Sequence, residues 1–394
     1  MPDAAPQRLY FHVGLPKSGS TYLQAALGNN REALKQHGFV YPYVRQEGMF
    51  LAAVEMVSSA RRWGQDPDDV AGTFAHLLRR GRRVGGTVVI SHEIFGSAHP
   101  PQIETMREML AGFDVHLVVT ARDLGRTATA EWQEQVKNGE PRSFAEFTDA
   151  VLADLPEDPA DSSGFWRSQN LGALLDRWSV VAPPERTHVV TCPRAGAPKE
   201  VLWERFADAI GLPPEVVDLS QVPRRNESLG TAQVALLRDV LAEVGDRLEQ
   251  PWHSRLAKRW FAQTLLTRGR SEKPVTPPAL AEGLQVVSQH WVDTIASGGF
   301  RVHGDLAELL PDPADAGARH PDDVDELAKL DALPEVLAEM LVRVRRASEE
   351  AEDLAGEVDE LTAERDALIA RVAELEETSW RKPGWLLRRQ RRTG

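Results

Sequence analysis

The sequence predicts an α/β protein: a three-layer fold with a central parallel sheet covered by helices on both faces, plus a C-terminal coiled-coil helix. Two observations predict it. Short apolar runs alternate with amphipathic helical patterns early in the chain, and an apolar heptad repeat runs from Leu337 to Leu375. The runs Leu9–Gly14, Thr87–Ser91 and Val115–Thr120 are too short for helices and apolar at successive positions, as in strands buried on both faces. His188–Thr191, rich in β-branched residues, makes a fourth. Between them, residues 20–36 place Leu23, Ala26, Leu27 and Leu34 on one helical face. Residues 171–178 do so with Leu171, Leu174, Leu175 and Trp178, and residues 201–210 with Val201, Leu202, Phe206 and Ile210, ending at Gly211. Strands alternating with helices of this length build a parallel sheet through crossover connections.

The chain has 394 residues, 42% of them hydrophobic, enough for one large core and an appendage. A net charge of -13 and a pI near 5.4 argue against a nucleic-acid binder, while leaving room for a local basic pocket. Cys192 is the single cysteine, so no intrachain disulfide framework exists and a reducing compartment is the simpler reading. The opening residues lack the charged and apolar regions of a signal peptide, and no run approaches the ~18 apolar residues of a membrane helix. The expectation is a cytoplasmic protein.

Composition divides the chain. Residues 1–300 make the α/β domain. Residues 301–332 read as an acidic linker, because Pro311–Asp325 is rich in Pro, Asp, Ala and Gly. Residues 333–378 carry the heptad. One seam position holds Leu337, Val344, Ala351, Val358, Arg365 and Val372; the other holds Met340, Ala347, Leu354, Leu361, Leu368 and Leu375. This pattern implies a homo-oligomer, or one long helix folded back on the domain. Residues 379–394 form a basic tail with Trp380 and Trp385, similar to a weak interfacial anchor that gives peripheral membrane contact; binding to an acidic partner, or a merely solvated end, are the alternatives.

The chemistry is concentrated in GLPKSGST, Gly14 to Thr21, between the first strand and the first helix. A nucleotide-hydrolysing P-loop has lysine directly after its second glycine. Here Gly14 and Gly19 have that spacing, but Ser20 stands at the lysine position and the lysine has moved to Lys17. The cradle survives the change. Gly19 lets the backbone curl, so that amides from Ser18 to Tyr22 can face one phosphate at a helix N-terminus. Ser20 and Thr21 add hydroxyl donors. The fold expected is therefore P-loop-like, with a site poorly suited to a magnesium-bound triphosphate.

Pro16, Lys17, Ser18, Gly19, Ser20, Thr21 and Tyr22 in that order resemble the 5'-phosphosulfate-binding loop of the sulfotransferase family. The resemblance covers about residues 8–230. It implies a sulfuryl transfer from 3'-phosphoadenosine-5'-phosphosulfate to an acceptor hydroxyl, such as one on a glycan or glycolipid. It also implies that Lys17 stabilises the leaving phosphate and that Tyr22 lies near the adenine. The family holds the 3'-phosphate with an arginine after a later strand and a serine eight residues on. Arg122 matches the arginine, but Ala130 stands at the serine position, leaving Thr127 or Thr129 as substitutes. Arg224 and Arg225 are candidates for a further basic residue drawn from a late loop.

An acceptor proton needs a base, and family members use histidine or glutamate. The tip of the second apolar run offers both, His92 and Glu93, with Glu93 preferred; strand alternation would point them to opposite sides. His12, inside a strand, reads as a satisfied core histidine. No metal requirement is expected, since the histidines lack ligand spacing. Two other classes stay open: a P-loop kinase or nucleotide hydrolase, and a non-catalytic scaffold in which a degenerate nucleotide fold serves a coiled coil.

Overall fold

The computed structural model describes residues 5–155, 164–222, 228–269, 271–312, 319–331 and 333–380. The chain divides into two compact units, Met1–Lys329 and Leu330–Gly394. The first is α/β. Its strands are β1 (Gln7–His12), β2 (Phe39–Val40), β3 (Thr87–Ser91), β4 (Phe113–Ala121), β5 (Thr187–Thr191) and β6 (Arg301–His303). They form one six-stranded sheet in the order β2-β3-β1-β4-β5-β6, and every pairing is parallel. β1 lies between β3 and β4, so successive connections leave it in opposite directions. That makes the C-terminal end of β1 a topological switch point, where parallel sheets open a crevice for ligands.

The four apolar runs are strands β1, β3, β4 and β5. β2 and β6 span two and three residues, too short for periodicity to mark them. β6 lies past residue 300, where composition places the start of a linker; His188 to Val190 pair with Arg301 to His303, which ties this stretch into the sheet. The helix expected over 20–36 is broken. α1 (Ser20–Asn29) stops at Asn30, whose side-chain amide donates to the Ala26 carbonyl at 2.9 Å while its Oδ1 accepts from the Asp218 amide at 2.9 Å. Other elements that position the site are α2 (Leu124–Lys137), α3 (Leu171–Trp178), α4 (Glu200–Ile210), a π-helical segment α5 (His253–Leu265) and α6 (Pro278–Ser297). Gly211 ends α4 in the left-handed conformation at φ 71°, the glycine stop read from the sequence.

The two sheet faces carry different chemistry because side chains alternate along each strand. Phe11 projects to one face, with ring centroids 4.8 Å from Phe95 and 5.3 Å from Trp178. These residues are fully buried, each worth roughly 1.5–3 kcal/mol of burial or more. The other face is lined with polar groups. His116 Nδ1 lies 3.0 Å from His188 Nε2, and His188 Nδ1 lies 3.0 Å from His303 Nε2. Asp114 sits beside His116 and Asp208 beside His303, so carboxylates close both ends of this three-ring ladder. His12, on the same face, is fully buried and bonded at both ring nitrogens, the satisfied core histidine expected.

The second unit contains α7 (Leu333–Trp380), 48 residues and about 70 Å long. Leu337, Val344, Leu354, Val358, Leu361, Leu368, Val372 and Leu375 of the heptad are exposed on it. Residues 381–394, most of the basic tail, lie outside the described residues. No helix among the described residues is long and apolar enough to cross a membrane.

The buried histidines make stability sensitive to acid. Burial lowers the pKa of His12 to about 4, and burial with His303, His116 and Arg301 lowers His188 to about 3. An unfolded histidine titrates near 6.5. The unfolded chain therefore binds more protons below that value. The stability is complete above pH 6.5 and is lost as pH falls toward the folded values. Urea unfolding should show a loss of about 2 kcal/mol or more between about pH 7.5 and pH 5. His188→Gln should reduce that slope by about one proton; a slope that does not change contradicts the assignment.

Candidate functional site

The loop after β1 is fixed by the strand beside it. Val13 and Leu15 donate their amides to the Val118 and Thr120 carbonyls of β4 at 3.0 and 2.9 Å. Gly14 has to be glycine, since a Cβ there would stand 2.2 Å from Thr120 Oγ1 and 2.7 Å from His12 Nε2. Lys17 adopts φ 65° and Gly19 φ 84°, so the chain curls twice before α1 begins. For lysine this left-handed conformation costs on the order of 1 kcal/mol, a strain typical of ligand loops. No side chain caps α1, which leaves its first amides without a side-chain acceptor.

A directed hydrogen-bond chain holds the loop down. Ser18 Oγ donates to the Leu15 carbonyl, and so accepts from Thr120 Oγ1 at 2.6 Å. Thr120 Oγ1 then accepts from His12 Nε2 at 3.0 Å, and His12 Nδ1 accepts from Ser91 Oγ at 2.7 Å. Every link is buried, and one neutral tautomer of His12 satisfies them all. Cys192 adds a further tie, its thiol donating to the Ser18 carbonyl at 3.0 Å. Burial pushes that thiol up to about 12, so it keeps its proton. From the helix side, Gln169 donates to the Pro16 carbonyl at 3.3 Å.

Arg122 leaves the end of β4 and directs Nη1 to the Lys17 carbonyl at 3.4 Å. Its neighbour Asp123 is not its ion-pair partner: Asp123 caps α2 and pairs with Arg126. Arg122 thus reaches the loop half-buried, with no carboxylate within ion-pair distance among the described residues. Thr129 does not follow it there. Thr129 Oγ1 donates to the Gly125 carbonyl at 3.0 Å within α2, and Thr127 is buried. Arg224 and Arg225 lie outside the described residues. Of the remaining loop residues, Ser20 is buried, Thr21 is exposed and Tyr22 is half-buried. Burial, then Glu200 and Glu204, raise the Tyr22 pKa to about 12.

His92 and Glu93 come together. β3 ends at Ser91 and a single 3-10 turn, Glu93–Ser97, begins, so strand alternation no longer applies. His92 Nδ1 lies 3.6 Å from Glu93 Oε2 and accepts from the Ile94 amide at 3.2 Å. Gln24 donates to Glu93 Oε2 at 2.8 Å, joining the pair to α1. Burial opposes ionisation of Glu93, but His92, its own amide, Gln24 and Ser20 outweigh it and lower its pKa. Burial lowers the pKa of His92, and the Glu93 carboxylate opposes this.

Sequence reasoning missed the partner of Lys17. Its Nζ lies 3.0 Å from Glu134 Oε2, and Lys258 of α5 lies 2.6 Å from the other oxygen. Burial opposes charge on Glu134, yet Lys17 and Lys258 together hold its pKa at about 2. One signal was available: Glu131, Glu134 and Lys137 recur at helical spacing on the element that Arg122 opens. Nothing in the sequence points to Lys258, which arrives from a distant π-helical segment. Among the described residues, no group of histidine, cysteine and carboxylate side chains could hold a metal ion. No family model matches the chain, and no curated protein matches it either.

Gly14→Ala should destabilise the protein by about 1–3 kcal/mol, because the added methyl enters the His12–Thr120 contact. Urea unfolding measures it, and a loss under about 0.5 kcal/mol would mean that the relay is not rigid.

Proposed function

We propose that the chain is a P-loop-like sulfotransferase that moves a sulfuryl group from 3'-phosphoadenosine-5'-phosphosulfate to an acceptor hydroxyl. One observation carries the reading: the PKSGST loop, Arg122 and the His92–Glu93 pair meet at one switch point of a parallel sheet. The uncapped amides at the start of α1 suit a phosphate, and Arg122, with no ion-pair carboxylate among the described residues, suits a second one. Ser20 in the position of the P-loop lysine disfavours a magnesium-bound triphosphate.

The donor supplies a sulfuryl group on a phosphate leaving group. The loop amides and Lys17 hold the anionic oxygens and stabilise the charge that builds on the phosphate as its S–O bond breaks. Glu93 takes the proton of the attacking acceptor hydroxyl as the new O–S bond forms. His92 is the less available base, because its Nδ1 lone pair already accepts from the Ile94 amide, which leaves the ring proton on Nε2. The exposed heptad of α7 supports self-association of the chain through a coiled coil.

Calorimetry should show tight binding of 3',5'-adenosine bisphosphate and weak binding of ATP with magnesium. Arg122→Ala should weaken the bisphosphate by about tenfold or more; preference for ATP would move the protein to the phosphotransferases. Sedimentation should show an oligomer of the full chain, and Leu361→Lys should shift it toward monomer; a monomeric wild type contradicts the coiled coil.

A further inference from the structure

Four lysines gather around the carboxylate that holds Lys17. Lys258 Nζ bridges Glu134 and Asn138 Oδ1, at 2.6 and 2.7 Å. Lys273 donates to the Ser228 carbonyl. Lys137 stands three residues after Glu134, on the same side of α2. Its residue is only 9% exposed, but its Nζ is not among the fully buried atoms that lack a partner, so the ammonium reaches solvent. Burial lowers its pKa, Glu134 opposes this, and Lys17, Lys258 and Lys273 lower it further, so these cations share one field. Glu134 is already divided between two lysines, and Glu131 and Glu140 stand nearby, so that four lysines face three carboxylates among the described residues. The cluster carries more positive charge than its own carboxylates neutralise.

The cluster begins at Lys17 and runs on along α2. Arg122 meets the backbone of Lys17, whereas the Lys17 side chain points to Glu134, about 15 Å along α2 from Leu124. Lys137 lies a further turn on. Lys17 therefore stands between Arg122 and the lysine cluster.

We propose that the lysine cluster anchors the acceptor: Lys137 and Lys258 bind an oxyanion, a carboxylate or sulfate, carried by the molecule whose hydroxyl is modified. This rests on the sulfotransferase reading, since it takes the far side of Lys17 as the acceptor side. The substrate class is an acidic hydroxyl compound rather than a neutral sugar or phenol.

The test titrates inorganic sulfate into protein saturated with 3',5'-adenosine bisphosphate, for wild type, Lys137→Gln and Lys137→Arg. Wild type should bind sulfate. Lys137→Gln should weaken it about tenfold or more, with bisphosphate affinity held within about twofold, and Lys137→Arg should restore binding. Thermal unfolding checks that each variant folds; where Lys137→Gln does not, Lys258→Gln, on a side chain 24% exposed, carries the comparison. Absent sulfate binding, an unchanged affinity in the glutamine variant, or an equal loss of bisphosphate affinity would overturn the proposal. A wild type that binds sulfate through Lys137 but no bisphosphate would overturn the acceptor role through the donor reading, leaving a bare anion site.

Discussion

The buried chain from Ser91 through His12 and Thr120 to Ser18 is the constraint on which the rest depends. It crosses three neighbouring strands and ends inside the loop. Each donor has one acceptor, so the chain has a single proton arrangement, and a neutral His12 is required for it. Burial supplies that neutrality. A loop fixed this way does not have to be ordered when an anion arrives, which preserves binding energy for the ligand. Gly14 and the left-handed turns at Lys17 and Gly19 are the backbone conditions for the same geometry.

Electrostatics then sort the groups around the loop. Arg122 reaches the loop with no ion-pair carboxylate among the described residues, because Arg126 takes Asp123. Lys17 is held in reserve by Glu134, and that carboxylate is kept ionised by two lysines. An anion entering above the loop competes with Glu134 for Lys17. The pKa of Glu93 is lowered by His92 and its own amide, and then by Gln24 and Ser20 of α1, close to the helix end where the anion would lie.

The parallel sheet was legible because β1, β3, β4 and β5 are buried on both faces, which leaves unbroken apolar runs. β2 and β6 were not, since two or three residues carry no period, and β6 fell in a stretch whose composition resembles a linker. The loop was legible because its glycines and lysine are local in sequence. The relay behind it was not: Ser91, His12, Thr120 and Ser18 are ordinary polar residues until strand register aligns them. His92 and Glu93 were visible as a pair, but their separation was misread, because the turn after β3 replaces strand alternation. Ala130 marked a departure from the resembling family, and Thr129, the proposed substitute, spends its hydroxyl inside α2. Lys258 reaches the site only through tertiary folding of a π-helical segment, a geometry with no sequence signature here.

A crystal structure with 3',5'-adenosine bisphosphate tests the central claim most directly. The account predicts the 5'-phosphate on the amides at the start of α1 and on Lys17, the 3'-phosphate on Arg122, and Ser18 still bonded to Thr120. A nucleotide bound away from the loop, or a loop that leaves Thr120 to bind it, would contradict the account.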